Sequence, residues 1–243
     1  MVKRTFDLLF SLIGLFLLGP FLLFFAFLVW LQDFRSPFYI SKRVGIKGKE
    51  FNLIKLRSMI VDADTSGVNS TSSNDSRITP IGNTIRRYKI DEIPQLLNVF
   101  LGQMSLVGPR PQVLSDVKLY TSEENSLLEI KPGITDFSSI IFADEGDILE
   151  SSSDPDLKYN QIIRPWKSRL GLLYIKKRNF FLDIKIIIIT VYSIIQRKKA
   201  LLIISRLLLN IGAETKLVSI SRRDNELLPY PPPGSDQVIS ERS

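Results

Sequence analysis

From Leu8 to Leu31 the sequence carries no charge and almost no polar side chain. The run is longer than the roughly 20 residues that a membrane-crossing helix needs. Gly19-Pro20 sits at its midpoint, where proline removes a backbone donor and its ring clashes with the preceding turn. A kink or break is therefore expected there. Lys3, Arg4 and Asp7 precede the run, and Arg35, Lys42, Arg43, Lys47 and Lys49 follow it. No small-residue cleavage site follows the run before the charged segment begins, which argues against a signal peptide. Basic flanks favour the cytoplasmic side, and here both flanks are basic. Two arrangements are open: a single-pass anchor with a tolerated proline, or a re-entrant hairpin broken at Gly19-Pro20. Asp7 is expected at the membrane interface, paired with Arg4 or a later arginine.

With 243 residues the chain can build one domain with a real core. Its net charge of +7 suits an anionic partner: nucleotide, lipid phosphate, acidic membrane surface or nucleic acid. There is no cysteine and no histidine. Disulfides, thiol chemistry and zinc sites are excluded, acid–base work falls to carboxylates, lysine or tyrosine, and any metal must be oxygen-ligated.

Potential chemistry is densest between Arg86 and Pro111. Arg86, Arg87 and Lys89 lead into Asp91 and Glu92, and Arg110 follows in the turn Gly108-Pro109-Arg110-Pro111. Ile93, Leu96, Leu97, Phe100 and Leu101 recur at helical spacing, which predicts an amphipathic helix with those residues in the core and Asp91 exposed on the opposite face. Pro94 is tolerable in a first turn. An isolated Asp-Glu pair usually caps a helix. The surrounding cations favour another reading, in which the carboxylates stay ionised at low pKa. One could then act as a nucleophile and the other hold Mg²⁺, while arginines grip phosphate as bidentate forks. Those are the parts of a phosphoryl-transfer site.

Arg77-Ile78-Thr79, the run Ile90 to Val99 and the run Met104 to Pro111 resemble the bacterial sugar transferases. These are the monotopic phosphoglycosyl transferases that start capsule, exopolysaccharide and O-antigen synthesis. The resemblance spans about residues 3–195. It implies transfer of a sugar 1-phosphate from a UDP-sugar to a polyprenyl (undecaprenyl) phosphate, with release of UMP. By analogy Asp91 is the nucleophile, through an aspartyl-phosphosugar intermediate, Glu92 coordinates Mg²⁺, and Arg86 and Arg110 hold the lipid phosphate. Lys55, in Lys55-Leu56-Arg57-Ser58-Met59, is implied to face the active site. The resemblance also favours the re-entrant hairpin broken at Gly19-Pro20, on the cytoplasmic face of the bacterial inner membrane. Asp136 to Ile140 departs from the family's usual continuation, and Gln103 replaces its usual acid.

Elsewhere, residues 37–59 read as a β-hairpin turning at Gly45 to Gly48. Residues 62–76 read as a mobile polar loop, and Ser115 to Ile130 as a polar helix. The apolar runs Ile184 to Ile195 and Leu201 to Ile204 are too short to span a bilayer, and their basic flanks suit interfacial helices. The fold expected is a helix-dominated α/β membrane-associated domain with a re-entrant N-terminal helix, a small β-hairpin and interfacial amphipathic helices. The division expected is 1–34 membrane hairpin, 35–220 catalytic domain and 221–243 disordered tail. Rival readings are a membrane-anchored nucleic-acid-binding protein and a non-catalytic scaffold. Against the former, the aromatic residues lie mostly in the membrane segment and do not interleave with Lys and Arg, so no nucleic-acid partner is expected.

Overall fold

The structure is a computed structural model of the protein and describes residues 2–240 apart from 69 and 151. Helices dominate, with two small sheets. Helix α1 (Val2–Asp33) is the one helix among the described residues long and apolar enough to cross a membrane. It runs unbroken through Gly19 and Pro20, so the expected break is absent. Packing on both sides of the proline accounts for this. Before it, Gly14 meets Leu96; after it, Leu22, Ala26 and Val29 share a buried cluster with Leu56, Ile85 and Ile90. Loss of one backbone donor is then a minor penalty against a helix held along its length.

Both ends of α1 are tied to the rest of the chain. Lys3 Nζ pairs with Asp183 Oδ2 at 2.5 Å, and Arg4 donates to the carbonyls of Val99 (2.6 Å) and Phe100 (2.8 Å). At the far end Arg57 clamps Asp33 with two bonds of 2.6 and 2.7 Å. Asp7 differs from expectation. It is buried with no arginine partner among the described residues, and it accepts instead from Ser105 Oγ and the Leu106 amide, both at 3.1 Å.

The hairpin forms as the sequence predicts, with β1 (Phe38–Val44) antiparallel to β2 (Glu50–Leu56). After the polar loop come α2 (Pro80–Arg87), a 3₁₀ turn at Ile90–Glu92, α3 (Gln95–Phe100) and β3 (Ser105–Val107). The polar loop is anchored to the acidic segment: the Ser73 amide donates to the Gly146 carbonyl at 3.0 Å and the Ser70 amide to Asp156 at 2.7 Å. The polar helix expected at 115–130 is instead α4 (Leu114–Lys118) and a 3₁₀ segment at Glu124–Glu129. Strand β4 (Gly133–Thr135) pairs parallel with β3. Helices α5 (Phe137–Ile141), α6 (Glu145–Leu149), α7 (Pro155–Ile162), α8 (Arg164–Lys177), α9 (Phe180–Ile195), α10 (Arg197–Asn210) and α11 (Thr215–Arg222) complete the chain. The main core gathers Phe137, Trp166, Tyr174, Ile186, Ile204 and Leu208 from four of them.

Helix α3 reverses the expected facing. Gln95, Asn98 and Val99 are buried, while Leu97, Phe100 and Leu101 are 39%, 41% and 64% exposed. Asn98 decides the orientation, because its amide serves the edge of β2: it accepts from the Ile54 amide (3.1 Å) and donates to the Asn52 carbonyl (2.7 Å). Unsatisfied strand-edge groups need partners more than leucines need a core. The apolar stripe therefore faces outward, as do Phe16, Leu17 and Phe24 of α1 and Ile188 and Ile195 of α9.

The tail expected to be disordered also differs, with residues 241–243 outside the described residues. Tyr230 stacks on Trp166 at 4.4 Å between centroids, and its amide donates to the Gln161 carbonyl. Arg169 and Thr121 donate to the carbonyls of Pro231 and Pro233. A segment with no core of its own uses that of α7 and α8.

The β3–β4 pair depends on two glycines whose backbones touch. A Cβ on Gly133 would lie 2.1 Å from the Gly108 amide nitrogen, inside rigid backbone. Gly133→Ala should therefore destabilise the fold by about 3 kcal/mol, at the upper end for overpacking, read as a lowered unfolding midpoint in detergent. An unchanged midpoint would mean the two strands are not packed this closely.

Candidate active site

The turn Ile90–Glu92 is set from both sides. Thr79 caps α2 by accepting from the Gly82 amide, Arg86 and Arg87 complete its last turn, and Lys89 then takes a left-handed conformation (φ 56°) that reverses the chain. Asp91 and Glu92 thus lie ahead of α3 and do not cap it; position 94, its N-cap, is a proline without a side-chain cap. The capping explanation for the two carboxylates falls away.

Both side chains point inward. Asp91 is 9% exposed, contrary to the expectation of a free outer face. Lys55, at the end of β2, places Nζ 4.0 Å from Asp91 Oδ2. Glu92 Oε1 accepts from Arg110 Nη2 at 2.5 Å, and Arg110 Nη1 donates to the Ile134 carbonyl at 2.9 Å. Arg110 is aimed by the β3–β4 pair, since the Gly108 amide donates to the Thr135 carbonyl and the Gly133 amide to that of Pro109. Lys89 Nζ donates to the Ser139 carbonyl at 3.0 Å. Arg86 is half-buried, its side chain has no hydrogen bond or ion pair among the described residues, and it lies close enough for its charge to act on Asp91. The structure thus brings together Lys55, Arg86, Asp91, Glu92 and Arg110. Gly19 and Pro20 lie in α1, outside this group.

Burial splits the two carboxylates. It pushes Asp91 upward, and the neighbouring Glu92 charge adds to this against the pull of Lys55, Arg86 and Arg110. For Glu92, burial also acts upward, but the Arg110 charge and hydrogen bond, with Lys89 and Lys55, outweigh it and hold the group at about 2. The expectation that both stay low fails for Asp91, because neighbouring cations do not fully offset lost hydration. Burial likewise lowers Lys55 and Lys89 from the usual lysine range. Adjacent carboxylates with separated pKa values suit different roles.

Two cavities adjoin this group of side chains. One, of about 160 Å³, is polar and is lined by Arg43, Lys55, Gln95, Arg110, Glu145 and Lys167 among others. The other, of about 650 Å³, is largely apolar, with Leu18, Phe21 and Phe25 from α1, Leu96, and Val191 and Ile194 from α9. Lys89 and Glu92 border the apolar one. Arg43, Gln95, Glu145 and Lys167 were not singled out from the sequence. They come from four separate elements, and only their convergence marks them.

The comparisons with known proteins bear on this site. The description "Bacterial sugar transferase" matches residues 1–197. The chain belongs to the bacterial sugar transferase family. It is 35% identical over 194 residues to the Bacillus subtilis sugar transferase EpsL, covering 80% of this chain and 87% of that one. A second Bacillus subtilis protein, named for undecaprenyl-phosphate N-acetylgalactosaminyl 1-phosphate transfer, is 47% identical over 111 residues, 46% of this chain and 62% of its own. The UDP-glucose:undecaprenyl-phosphate glucose-1-phosphate transferase of Klebsiella pneumoniae is 34% identical over 79% of this chain but only 39% of its own length. The chain thus spans less than two thirds of two of these relatives. It is an enzyme of the transferase class, and the matched region holds Lys55, Arg86, Asp91, Glu92 and Arg110 together.

Glu92 also makes a stability statement. Its folded pKa lies near 2, below the ordinary value of 4.5. Its stabilisation is therefore complete above about pH 4.5 and is lost as pH falls toward 2. Glu92→Gln should destabilise the protein at pH 7 by on the order of 3 kcal/mol, since Arg110 loses its buried partner. It should also flatten the pH dependence of unfolding between about 4.5 and 2. Parallel wild-type and variant profiles across that window would refute the assignment.

Proposed function

We propose that the enzyme transfers a sugar 1-phosphate from a UDP-sugar to a polyprenyl phosphate, releasing UMP, with Asp91 as the covalent nucleophile. The observation that carries this reading is the placement of the two carboxylates: their partners Lys55 and Arg110 line a small polar cavity, and Ile90 and Glu92 line a large apolar groove. A polar nucleotide donor suits the first and a polyprenyl chain the second. The name of the Klebsiella relative gives the same pair of substrates, and that of the Bacillus relative gives the lipid phosphate.

In the first step an Asp91 carboxylate oxygen bonds to the sugar-linked phosphorus and the bond to the bridging oxygen breaks, so UMP departs with the electron pair. In the second, an oxygen of the lipid phosphate attacks that phosphorus and the Asp91–phosphorus bond breaks. Lys55 offsets the charge arriving at Asp91, and Arg86 and Arg110 hold phosphate oxygens. Desolvation raises the free energy of the Asp91 carboxylate, so phosphorylation relieves a buried charge.

Mg²⁺ fits this donor set. Among the described residues no cluster of three or more acidic, His or Cys groups could enclose a metal. Mg²⁺ is commonly held by one or two carboxylates with substrate phosphates and water in the other positions. Glu92, with Asp91 beside it, would hold it. When bound, it would neutralise phosphoryl oxygens.

The ion pairs that tie the first residues and the last residue of α1 to the rest of the chain support an arrangement with both ends on one side of the bilayer, at the cytoplasmic face of the inner membrane. The helix would enter the bilayer without crossing, with the outward leucines and phenylalanines of α3 beside it.

Five outcomes are expected. Asp91→Asn should fold normally, yet turnover should fall by several orders of magnitude, on the order of a lost nucleophile. Mass spectrometry of wild type with a UDP-sugar and no lipid should find a sugar-phosphate adduct on the Asp91 peptide, and an adduct elsewhere sinks the assignment. EDTA should abolish UMP release and Mg²⁺ or Mn²⁺ restore it; indifference to chelation removes the metal role from Glu92. The rate of adduct formation should fall on acidification above the ordinary aspartate range, and Lys55→Met should move that limb to still higher pH because it removes the cation opposing the rise. For topology, single cysteines at positions 2 and 36 should label from the same side, and labelling from opposite faces would make α1 a spanning anchor.

A further inference from the structure

Two side chains of the polar cavity carry a buried N–H group without a partner among the described residues. Gln95 is 1% exposed, lines the cavity, and its Nε2 has no hydrogen-bond partner. Arg43, from β1, lines the same cavity with its buried Nε equally unpartnered, and it forms no ion pair among the described residues. The other cations of the cavity are engaged: Lys55 faces Asp91, Arg110 binds Glu92 and Lys167 binds Glu145. A buried donor without an acceptor forfeits its hydration with nothing in return, and an apolar residue of the same shape would avoid that loss. Such a penalty persists where a ligand supplies the missing partner.

The identity of the missing partner follows from the donors. Both orphaned atoms are N–H groups, so the partner is an acceptor; Asp116, across the same cavity, acts on Arg43 without pairing with it, and a guanidinium left without an ion pair favours an anion. The cavity holds about 160 Å³, well below the roughly 300–1,000 Å³ of pockets that enclose a whole small molecule. It has room for a phosphate group and not for a nucleoside. Lys55 reaches both Asp91 and this cavity. A diphosphate with its sugar-linked phosphorus at Asp91 and Lys55 therefore places its other phosphate beside Arg43 and Gln95.

We propose that Arg43 and Gln95 bind the donor phosphate that departs with the nucleotide. This rests on the reaction proposed above and assigns its leaving-group side. As the Asp91 oxygen bonds to the sugar-linked phosphorus, the bond to the bridging oxygen breaks. Its electron pair stays on the nucleotide phosphate, which leaves as UMP without needing a proton. Arg43 and Gln95 donate to the oxygens on which that charge gathers. The pair acts in the first half-reaction and not in the second, because the leaving phosphate is gone before the lipid phosphate attacks.

The test uses the full chain in detergent, with UDP and UMP as probes so that neither the donor sugar nor the covalent step is assumed. Calorimetric affinity for both should fall roughly ten- to hundredfold in Arg43→Met and in Gln95→Leu, as expected for a lost charge-assisted hydrogen bond. Arg43→Lys should recover part of the loss. Gln95→Leu should keep or raise the unfolding midpoint, since it removes a buried unsatisfied amide; a residue needed only for folding would lower it. Adduct formation should slow in both variants, while transfer from a preformed adduct to polyprenyl phosphate keeps its wild-type rate. Wild type that binds UDP but forms no Asp91 adduct would sink the covalent mechanism and leave this assignment standing. Unchanged UDP and UMP affinity in both variants would overturn the assignment, as would failure of wild type to bind UDP. Equal slowing of both half-reactions would also overturn it.

Discussion

The ion pair between Glu92 and Arg110 fixes the geometry of this enzyme. It joins two backbone segments with no other reason to meet, the 3₁₀ turn before α3 and the loop leaving β3. Both side chains are largely out of water, and a desolvated pair is tolerated only with close geometry and its remaining donors satisfied. Arg110 meets that condition by also donating to the Ile134 carbonyl. Each partner therefore dictates the position of the other, and through Ile134 the pair is bound to β4. The same interaction separates the carboxylates: Arg110 holds Glu92 ionised, and the charge so fixed helps raise Asp91 beside it.

A second constraint acts on the surface. Ordinary amphipathic helices bury leucine and expose amide; α3 does the reverse, because Asn98 completes the hydrogen bonding of the β2 edge. Helix α1 lies against α3 with most of its phenylalanines exposed. A continuous apolar exterior of this extent is unusual for a protein surrounded by water. Beneath it the polar groups turn inward, which lets Asp91 and Glu92 sit a short distance from an apolar groove. The reactive charges can then meet a lipid phosphate without the lipid tail leaving apolar surroundings.

The C-terminal third shows how a weakly patterned sequence becomes ordered. Residues 198–243 lie beyond the family match, yet α10 packs on α9, and Tyr230 lies on Trp166 with Lys216 and Arg169 against its ring. The proline carbonyls at 231 and 233 accept from side chains of other segments. The order of this tail is thus borrowed from α7 and α8, and composition alone cannot register a borrowed core.

What the sequence determined was local or ordered along the chain. The apolar run Leu8 to Leu31 made a long helix, the Gly45 to Gly48 turn made a hairpin, and the absence of histidine and cysteine limited the chemistry to oxygen and lysine groups. The ordered motif from Arg77 to Pro111 fixed the family and drew attention to Arg86, Asp91, Glu92 and Arg110, and the run Lys55 to Met59 drew attention to Lys55. Tertiary structure alone decided whether the helix broke at Pro20, which face of α3 turned inward, and that Asp91 is buried rather than exposed. The physical reason is common to the three. Periodicity and composition identify a face, a proline or a charge, but its environment is set by distant segments: β2 for Asn98, β3 and β4 for Arg110, α3 and the Leu56 cluster for α1. Arg43 and Gln95 were illegible for the same reason, since an unpaired donor is defined by what the rest of the chain fails to place beside it.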